Sequence, residues 1–170
     1  MKIALISNNG IKRVETSKQQ RIMIEIIKVS KKDLTVITDL IVNVINNDDS
    51  TCKPLSNKNL EKLLDDHRSY LFAAIIDGRV VGYALAYRFP SLYSEGFLAY
   101  LYDIKVLQNH RRKGVGRLLI ETMLANLKSD GVKELWLGTA VDNAEGQGLF
   151  SSTGAEKSDE IFNDYTYNLA

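Results

Sequence analysis

Hydrophobic and polar positions alternate along the chain in a way that predicts short strands and helices from Met23 onward. The clearest pattern is FLAYLYDIKV at 97–106, in which apolar and aromatic side chains recur at every second position and predict a buried central strand. Apolar side chains then recur at helical spacing from Val115 to Leu127, which predicts a helix. A basic turn with two glycines, 108–116, separates the strand from the helix.

The rest of the pattern predicts a mixed α and β domain. Further strands are expected at 23–29, 70–76, 80–87, 134–139, 155–157 and 163–168, and helices at 33–45, 57–66 and 144–152. Asp77-Gly78 joins two of these strands as a two-residue hairpin turn. A strand, helix and strand in succession give one parallel step. We therefore expect an α+β fold: one mixed, mostly antiparallel sheet with a parallel central step and about four flanking helices.

Residues 1–22 lack a periodic pattern and are basic after a short apolar patch. We interpret them as a leader or appended arm, with a docking arm for a partner as the alternative, and place the domain at 23–170. No apolar run approaches the roughly 20 residues of a membrane span, and none resembles a signal peptide. We therefore expect a cytoplasmic protein with no membrane partner.

Composition narrows the chemistry. Cys52 is the single cysteine of 170 residues, which excludes an internal disulfide and a cysteine zinc cluster, and we expect no metal. The net charge is +1, and aromatic residues do not alternate with the basic ones of the turn, which argues against nucleic-acid binding.

The basic turn has the properties of a site for phosphate. A helix start presents unpaired N–H groups and the positive end of the helix dipole, and glycine allows close backbone approach. The spacing excludes a P-loop, because G-x-x-x-x-G-K-[ST] is missing. It also excludes a dinucleotide fingerprint, because Leu119 stands where the third glycine would be.

The spacing Arg111-x-x-Gly114-x-Gly116 resembles the acyl-CoA pyrophosphate motif of the GNAT superfamily of N-acetyltransferases. A second stretch, Asn143 to Ala155, resembles the closing motif of that superfamily (N-x-x-A-x-x-L-Y-x-x-x-G-F) in the correct order. Tyr102-Asp103 on the central strand is most similar to the aminoglycoside 3-N-acetyltransferases.

The resemblance implies direct acetyl transfer from acetyl-CoA to an amine. Strand backbone would hold the pantetheine arm and the thioester carbonyl, and the turn would hold the pyrophosphate. The implied cofactor-binding residues are Ile104, Lys105, Val106, Arg111, Arg112, Lys113, Gly114, Val115, Gly116, Arg117, Asn143 and Phe150.

The catalytic residues are less defined. Asp103 is the first candidate for the general base and Glu95 the second. The superfamily often has a tyrosine where Phe150 stands, and phenylalanine cannot protonate the leaving thiolate. Tyr102, Ser151 or a water would then act as the acid, or the thiolate would leave unassisted.

The charge distribution suggests the kind of acceptor. Residues 105–133 carry seven Lys or Arg against two acidic residues, whereas 142–164 carry six acidic residues against one lysine. A basic region suits CoA phosphates and an acidic one suits a cationic amine. The leading hypothesis is an acetyltransferase for a small polycationic amine such as an aminoglycoside. A protein or peptide amine as acceptor, and a non-catalytic acyl-CoA-binding module, are the alternatives. The resemblance also allows a homodimer.

Overall fold

The computed structural model describes residues 22–45, 57–93, 95–160, 163 and 165–169. The chain divides after Gly138 into two compact units. The first contains β1 (Glu25–Lys28), α1 (Leu34–Asp39), a π-helix (Leu40–Ile45), α2 (Asn57–Asp65), β2 (Ser69–Ile76), β3 (Arg79–Pro90), β4 (Phe97–Val106), a 3-10 helix (Gln108–His110), α3 (Val115–Ser129) and β5 (Val132–Trp136). The second contains α4 (Ala144–Ser152). Within these ranges no helix combines the length and apolarity needed to cross a bilayer.

The five strands form one sheet in the order β1-β2-β3-β4-β5. The first four strands pair antiparallel with their neighbours, and β4 pairs parallel with β5 across α3. Asp77 and Gly78 have φ values of 49° and 75°, the left-handed backbone that a two-residue hairpin turn requires. The prediction of an α+β fold with a mixed sheet, a parallel step and four helices is confirmed.

Each sheet face is covered by its own helices. α3 lies against β2, β3, β4 and β5, where Ala84, Ala99 and Leu101 are buried and allow close approach. α1, the π-helix and α2 cover part of the opposite face. Their core comprises Val29, Ile37, Leu40, Val44, Leu60, Leu71, Ala73 and Val80, with Tyr83 and Leu85 packed at its margin. On the face opposite α3, these helices therefore cover only part of the sheet, and side chains of β3 extend past the region that they cover.

The helix predicted at 33–45 is present in the structure as an α-helix that begins at Leu34 and continues as a π-helix from Leu40. Ser30 donates hydrogen bonds from both its N–H (2.8 Å) and its hydroxyl (2.7 Å) to Asp33 Oδ2. This local turn comes directly before α1, which begins at Leu34 with Asp33 as its N-cap. The α-to-π change follows Asp39, whose Oδ2 accepts a hydrogen bond from the Val80 N–H at 2.5 Å.

Three predicted strands near the C-terminus differ from the structure, one in its bounds and two in their presence. β5 occupies 132–136 rather than 134–139. The described residues of 155–157 and 163–168, where the sequence predicts two strands, form no strand. Tyr165 and Tyr167 are 86% and 88% exposed, so their alternation has no buried face to stabilise a strand. The predictions for residues 1–21 and for Cys52 lie outside the described residues.

Candidate active site

A β-bulge interrupts the pairing of β4 with β3. Asp103 pairs with Leu85 and Leu101 pairs with Ala86, so Tyr102 is the extra residue without a partner in the register. In a regular strand, Tyr102 and Asp103 would project to opposite faces of the sheet. The bulge changes that arrangement.

Both side chains contact β3 residues that share one face. The Tyr83 hydroxyl donates a hydrogen bond to Asp103 Oδ2. The Tyr87 and Tyr102 rings meet edge to face, with centroids 5.8 Å apart. Tyr83 and Tyr87 are four residues apart on one strand and therefore lie on the same side. The structure thus brings Tyr102 and Asp103 together on the face opposite α3.

Tyr83 and Tyr87 are site residues that the sequence reasoning missed. Their alternation along β3 was visible, but their contacts depend on the β3–β4 register and on the bulge. Burial raises the pKa of Tyr87, and the neighbouring Tyr102 adds to the rise, so the Tyr87 phenol stays neutral and can donate a hydrogen bond.

Glu95 lies apart from Asp103. It is exposed in the loop before β4, next to Gly96, whose backbone lies close to Gly131 and Lys133. β4 runs from Phe97 past Asp103, and six residues of extended strand span roughly 20 Å. The two carboxylates therefore lie at different ends of β4, and Glu95 stays a prediction that a variant must test.

β5 accompanies only the first part of β4. The last paired residues are Tyr100 and Trp136, and β4 continues to Val106. Within the described ranges, no strand pairs with 101–106 on the β5 side. Ile104 and Val106 thus lie on a stretch of strand edge that an extended ligand can reach.

The basic turn connects this strand edge to α3. Arg111 Nε donates a hydrogen bond to the Val106 carbonyl at 3.0 Å and so joins the turn to the end of β4. Gly114 is the N-cap of α3 with φ 87°, whereas Gly116 is inside the helix. Arg112 also has a left-handed φ of 60°. This backbone path turns the chain sharply into the helix start.

The helix start presents a row of backbone donors. Leu118 N–H is the first to bond within this turn, to the Gly114 carbonyl at 3.1 Å. In the part of the chain that the structure describes, no backbone carbonyl accepts from the six N–H groups of Arg112 to Arg117. The side chains of Arg112, Lys113 and Arg117 are exposed beside them, and Arg117 lies 3.6 Å from Glu121. Donors and cations together make this an anion-binding surface.

His110 adds no charge to that surface. Burial lowers its pKa, and the nearby Lys113 lowers it further, so the ring is neutral at pH 7. Its Nδ1 is buried without a hydrogen-bond partner among the described residues. The described residues also contain no group of three His, Cys, Asp or Glu side chains able to hold a metal ion.

In the second unit, Asn143 caps α4. Its Oδ1 accepts from the Gly146 N–H at 3.0 Å, and its Nδ2 donates to Thr139 Oγ1 at 2.8 Å. A Cβ at Gly146 would come within 2.5 Å of Asn143 Nδ2, so an alanine here would require the Asn143 side chain to shift. Phe150 is buried, at 8% exposure. Both side-chain amide atoms of Asn143 are therefore engaged in the cap.

Replacing Asn143 by Ala is expected to destabilise α4 by about 1 kcal/mol, because the first turn loses its side-chain acceptor. Asn143→Asp keeps an oxygen for the Gly146 N–H and should retain most of the stability. Urea unfolding followed by circular dichroism compares the three proteins. Equal midpoints for the wild type and Asn143→Ala would contradict the capping role.

Comparison with known proteins gives the family. The sequence profile of the Acetyltransferase (GNAT) family matches residues 39–155. An N-alpha-acetyltransferase of Saccharolobus solfataricus is 29% identical over 104 residues, 55% of this chain and 60% of that protein. The [ribosomal protein bS18]-alanine N-acetyltransferase of Escherichia coli is 38% identical over 56 residues, 33% of this chain and 38% of that protein. The chain thus spans less than two thirds of the length of these relatives.

Solved structures share the fold over most of the chain. An aminoglycoside acetyltransferase from an uncultured soil metagenomic sample superposes with a TM-score of 0.75 at 25% identity, covering 86% of this chain and 97% of that one. A probable acetyltransferase superposes with a TM-score of 0.71 at 26% identity, covering 86% and 98%. With the family profile spanning well over half of its length, this chain belongs to the Acetyltransferase (GNAT) family.

Proposed function

We propose that the protein is an acetyl-CoA-dependent N-acetyltransferase whose first unit holds the cofactor and activates the amine. The observation that carries the proposal is the continuity of two features, the accessible end of β4 and the row of N–H donors at the start of α3, joined by the Arg111–Val106 hydrogen bond. An extended thioester arm and a pyrophosphate need these two surfaces side by side.

The residues of the turn suit a CoA pyrophosphate. The N–H groups of Arg112 to Arg117 supply the donors, and Arg112 and Lys113 supply the charge. Apart from Gly114 itself and its two neighbours in the chain, no atom of the described residues lies within 4 Å of the position where Gly114 would carry a Cβ, so an anion can approach the backbone. When bound, acetyl-CoA supplies the activated acetyl group. Ile104 and Val106 would orient the pantetheine arm through strand backbone.

Asp103 would accept the proton of the amine. An ammonium group has no lone pair and must lose a proton before it attacks a carbonyl. Asp103 is half-buried, and the Tyr83 hydroxyl fixes one of its oxygens, which leaves the other to face an amine. Tyr83 is in this view a positioning residue. Glu95, at the other end of β4, is the second candidate.

The proton for the leaving thiolate has several candidate sources. Tyr102 is 67% exposed and carries a hydroxyl on the same face as Asp103. Phe150 has none, and Ser151 or a water stays an alternative. Since a thiol is acidic enough to leave as a thiolate, a dedicated acid is not required.

The acceptor is proposed to be a small polycationic amine. The support is the similarity to an aminoglycoside acetyltransferase over 97% of that chain, together with the Tyr102-Asp103 resemblance. The N-alpha-acetyltransferase and the bS18-alanine N-acetyltransferase favour a protein or peptide amine instead, although they match over 60% and 38% of their lengths. A cytoplasmic location, a homodimer and a leader at 1–22 belong to the same proposal.

Release of free thiol from acetyl-CoA tests the proposal. The full chain is incubated with acetyl-CoA and, in turn, with an aminoglycoside, spermine and a peptide with N-terminal alanine. Turnover with one of these identifies the enzyme and the acceptor class. Tight CoA binding without turnover on any amine would replace the proposal by the alternative of a non-catalytic acyl-CoA-binding module.

A further inference from the structure

Five aromatic side chains lie together on the sheet face opposite α3. Tyr87 contacts Tyr102, and the Phe89 and Trp136 rings meet edge to face with centroids 6.3 Å apart. Tyr100 pairs with Tyr87 on one side and with Trp136 on the other, and side chains directly opposite on neighbouring strands share a face. We call these five residues the aromatic face.

The aromatic face is accessible. Tyr102 is 67% exposed, Trp136 48%, Tyr100 40% and Phe89 36%. α1, the π-helix and α2 cover the same side of the sheet near Tyr83 and Leu85 and do not bury these rings. A contiguous set of exposed rings on a folded unit marks a surface that binds another molecule.

The aromatic face continues directly into the proposed catalytic group. Tyr102 precedes Asp103, and the bulge turns both side chains to this side of the sheet. An amine at Asp103 can therefore place the rest of its molecule over Tyr102 and the rings beyond it. Because the aromatic face and Asp103 are continuous, the molecule that fits this face is the amine acceptor.

The chemistry of the surface indicates the acceptor class. Aromatic ring faces attract ammonium groups and pack against the C–H faces of saturated rings. Glu134 lies two residues before Trp136 on β5, is exposed on the same sheet face as Trp136 and adds a carboxylate to that face. Lys105, the nearby cation on β4, lies two residues beyond Asp103 and away from the rings. A peptide in extended form would seek strand backbone, which a sheet face does not offer.

We propose that the aromatic face binds the acceptor and selects an amine built on saturated rings that carry several ammonium groups, as in an amino sugar. This inference rests on the proposed function, because it takes Asp103 as the group that activates the amine. Tyr102 and Trp136, the two most exposed of the five rings, are its main contacts, and the row of rings across three strands spans roughly 10 Å.

Trp136 gives a direct measurement, because it is the single tryptophan of the chain. Titration of the full chain with the amino sugar compound sisomicin, without acetyl-CoA, should change the tryptophan emission saturably. Tyr102→Ala should weaken the apparent affinity about tenfold, whereas Tyr102→Phe, which keeps the ring, should stay within about twofold of the wild type. Tyr93→Ala, an equally drastic change at a loop tyrosine 93% exposed, is the matched control.

Each outcome decides between occupants. The inference is supported if the emission responds saturably to sisomicin, responds more weakly to acyclic spermine and does not respond to a peptide with N-terminal alanine. If these responses occur but no amine is acetylated, the proposed function fails and the binding surface stands. Turnover on sisomicin with a KM that Tyr102→Ala leaves unchanged would overturn the inference and leave the proposed function standing. A response to the peptide alone overturns it in favour of a peptide acceptor. Emission that depends on protein concentration without ligand overturns it in favour of a second copy of the chain.

Discussion

Replacing Asp103 by Asn is expected to lower kcat by about 10²–10⁴-fold while CoA binding stays intact. The asparagine keeps the size of the side chain and an oxygen for the Tyr83 hydroxyl, but it cannot accept a proton from the amine. Much of the lost rate should return at high pH, where the amine is already neutral. Steady-state rates across pH, with CoA titration alongside, measure both quantities.

Two companion variants make this result interpretable. Glu95→Gln should leave kcat near normal if Asp103 is the base, because Glu95 lies at the other end of β4. Tyr83→Phe keeps the carboxylate and removes its hydrogen-bond donor, so its loss in kcat should be smaller than that of Asp103→Asn. Near-normal kcat in Asp103→Asn at every pH would remove Asp103 from the mechanism.

Replacing Gly114 by Val is expected to lower CoA affinity at least tenfold while the protein stays folded. A branched side chain at φ 87° is strained by about 1–3 kcal/mol, and relief of the strain would rotate the N–H groups that follow. The new side chain would also occupy the open space in front of the backbone. Calorimetric titration with CoA measures the change.

Gly131 offers a matched control for that experiment. It has a similar φ of 79° and equally open surroundings, and it lies at the opposite end of α3. Gly131→Val should therefore cause a comparable loss of thermal stability and leave CoA affinity unchanged. If both variants weakened CoA binding equally, the effect would be one of global stability, and the phosphate site at the turn would lose its support.

The sequence alone predicted the order of the elements because most of them bury a periodic face. β3, β4 and α3 each have a continuous apolar pattern, and the Asp77-Gly78 turn has a local conformation that few residue pairs adopt. The predicted strands around Tyr165 failed for the converse reason, since alternation without a burying partner does not stabilise a strand. The predicted start of the first helix at 33 agrees to within one residue with α1, which begins at Leu34 after the N-cap Asp33.

The residues of the candidate site could be predicted from the sequence only in part. Asp103 and the basic turn are local patterns and could be named in advance. Tyr83 could not, because its contact with Asp103 joins residues 20 positions apart and depends on a bulge that no residue type announces. Strand register results from the packing of whole strands, and a single extra residue changes which side chains meet.

The bulge at Tyr102 also has a consequence for substitutions at that position. Tyr102 is the extra residue of the bulge, and its edge-to-face contact with Tyr87 is the interaction that a substitution at this position would remove. Asp103, one position later, is fixed by its partner Leu85 and by Tyr83. A substitution at residue 102 would therefore change the surface beside Asp103 while leaving the carboxylate itself in place.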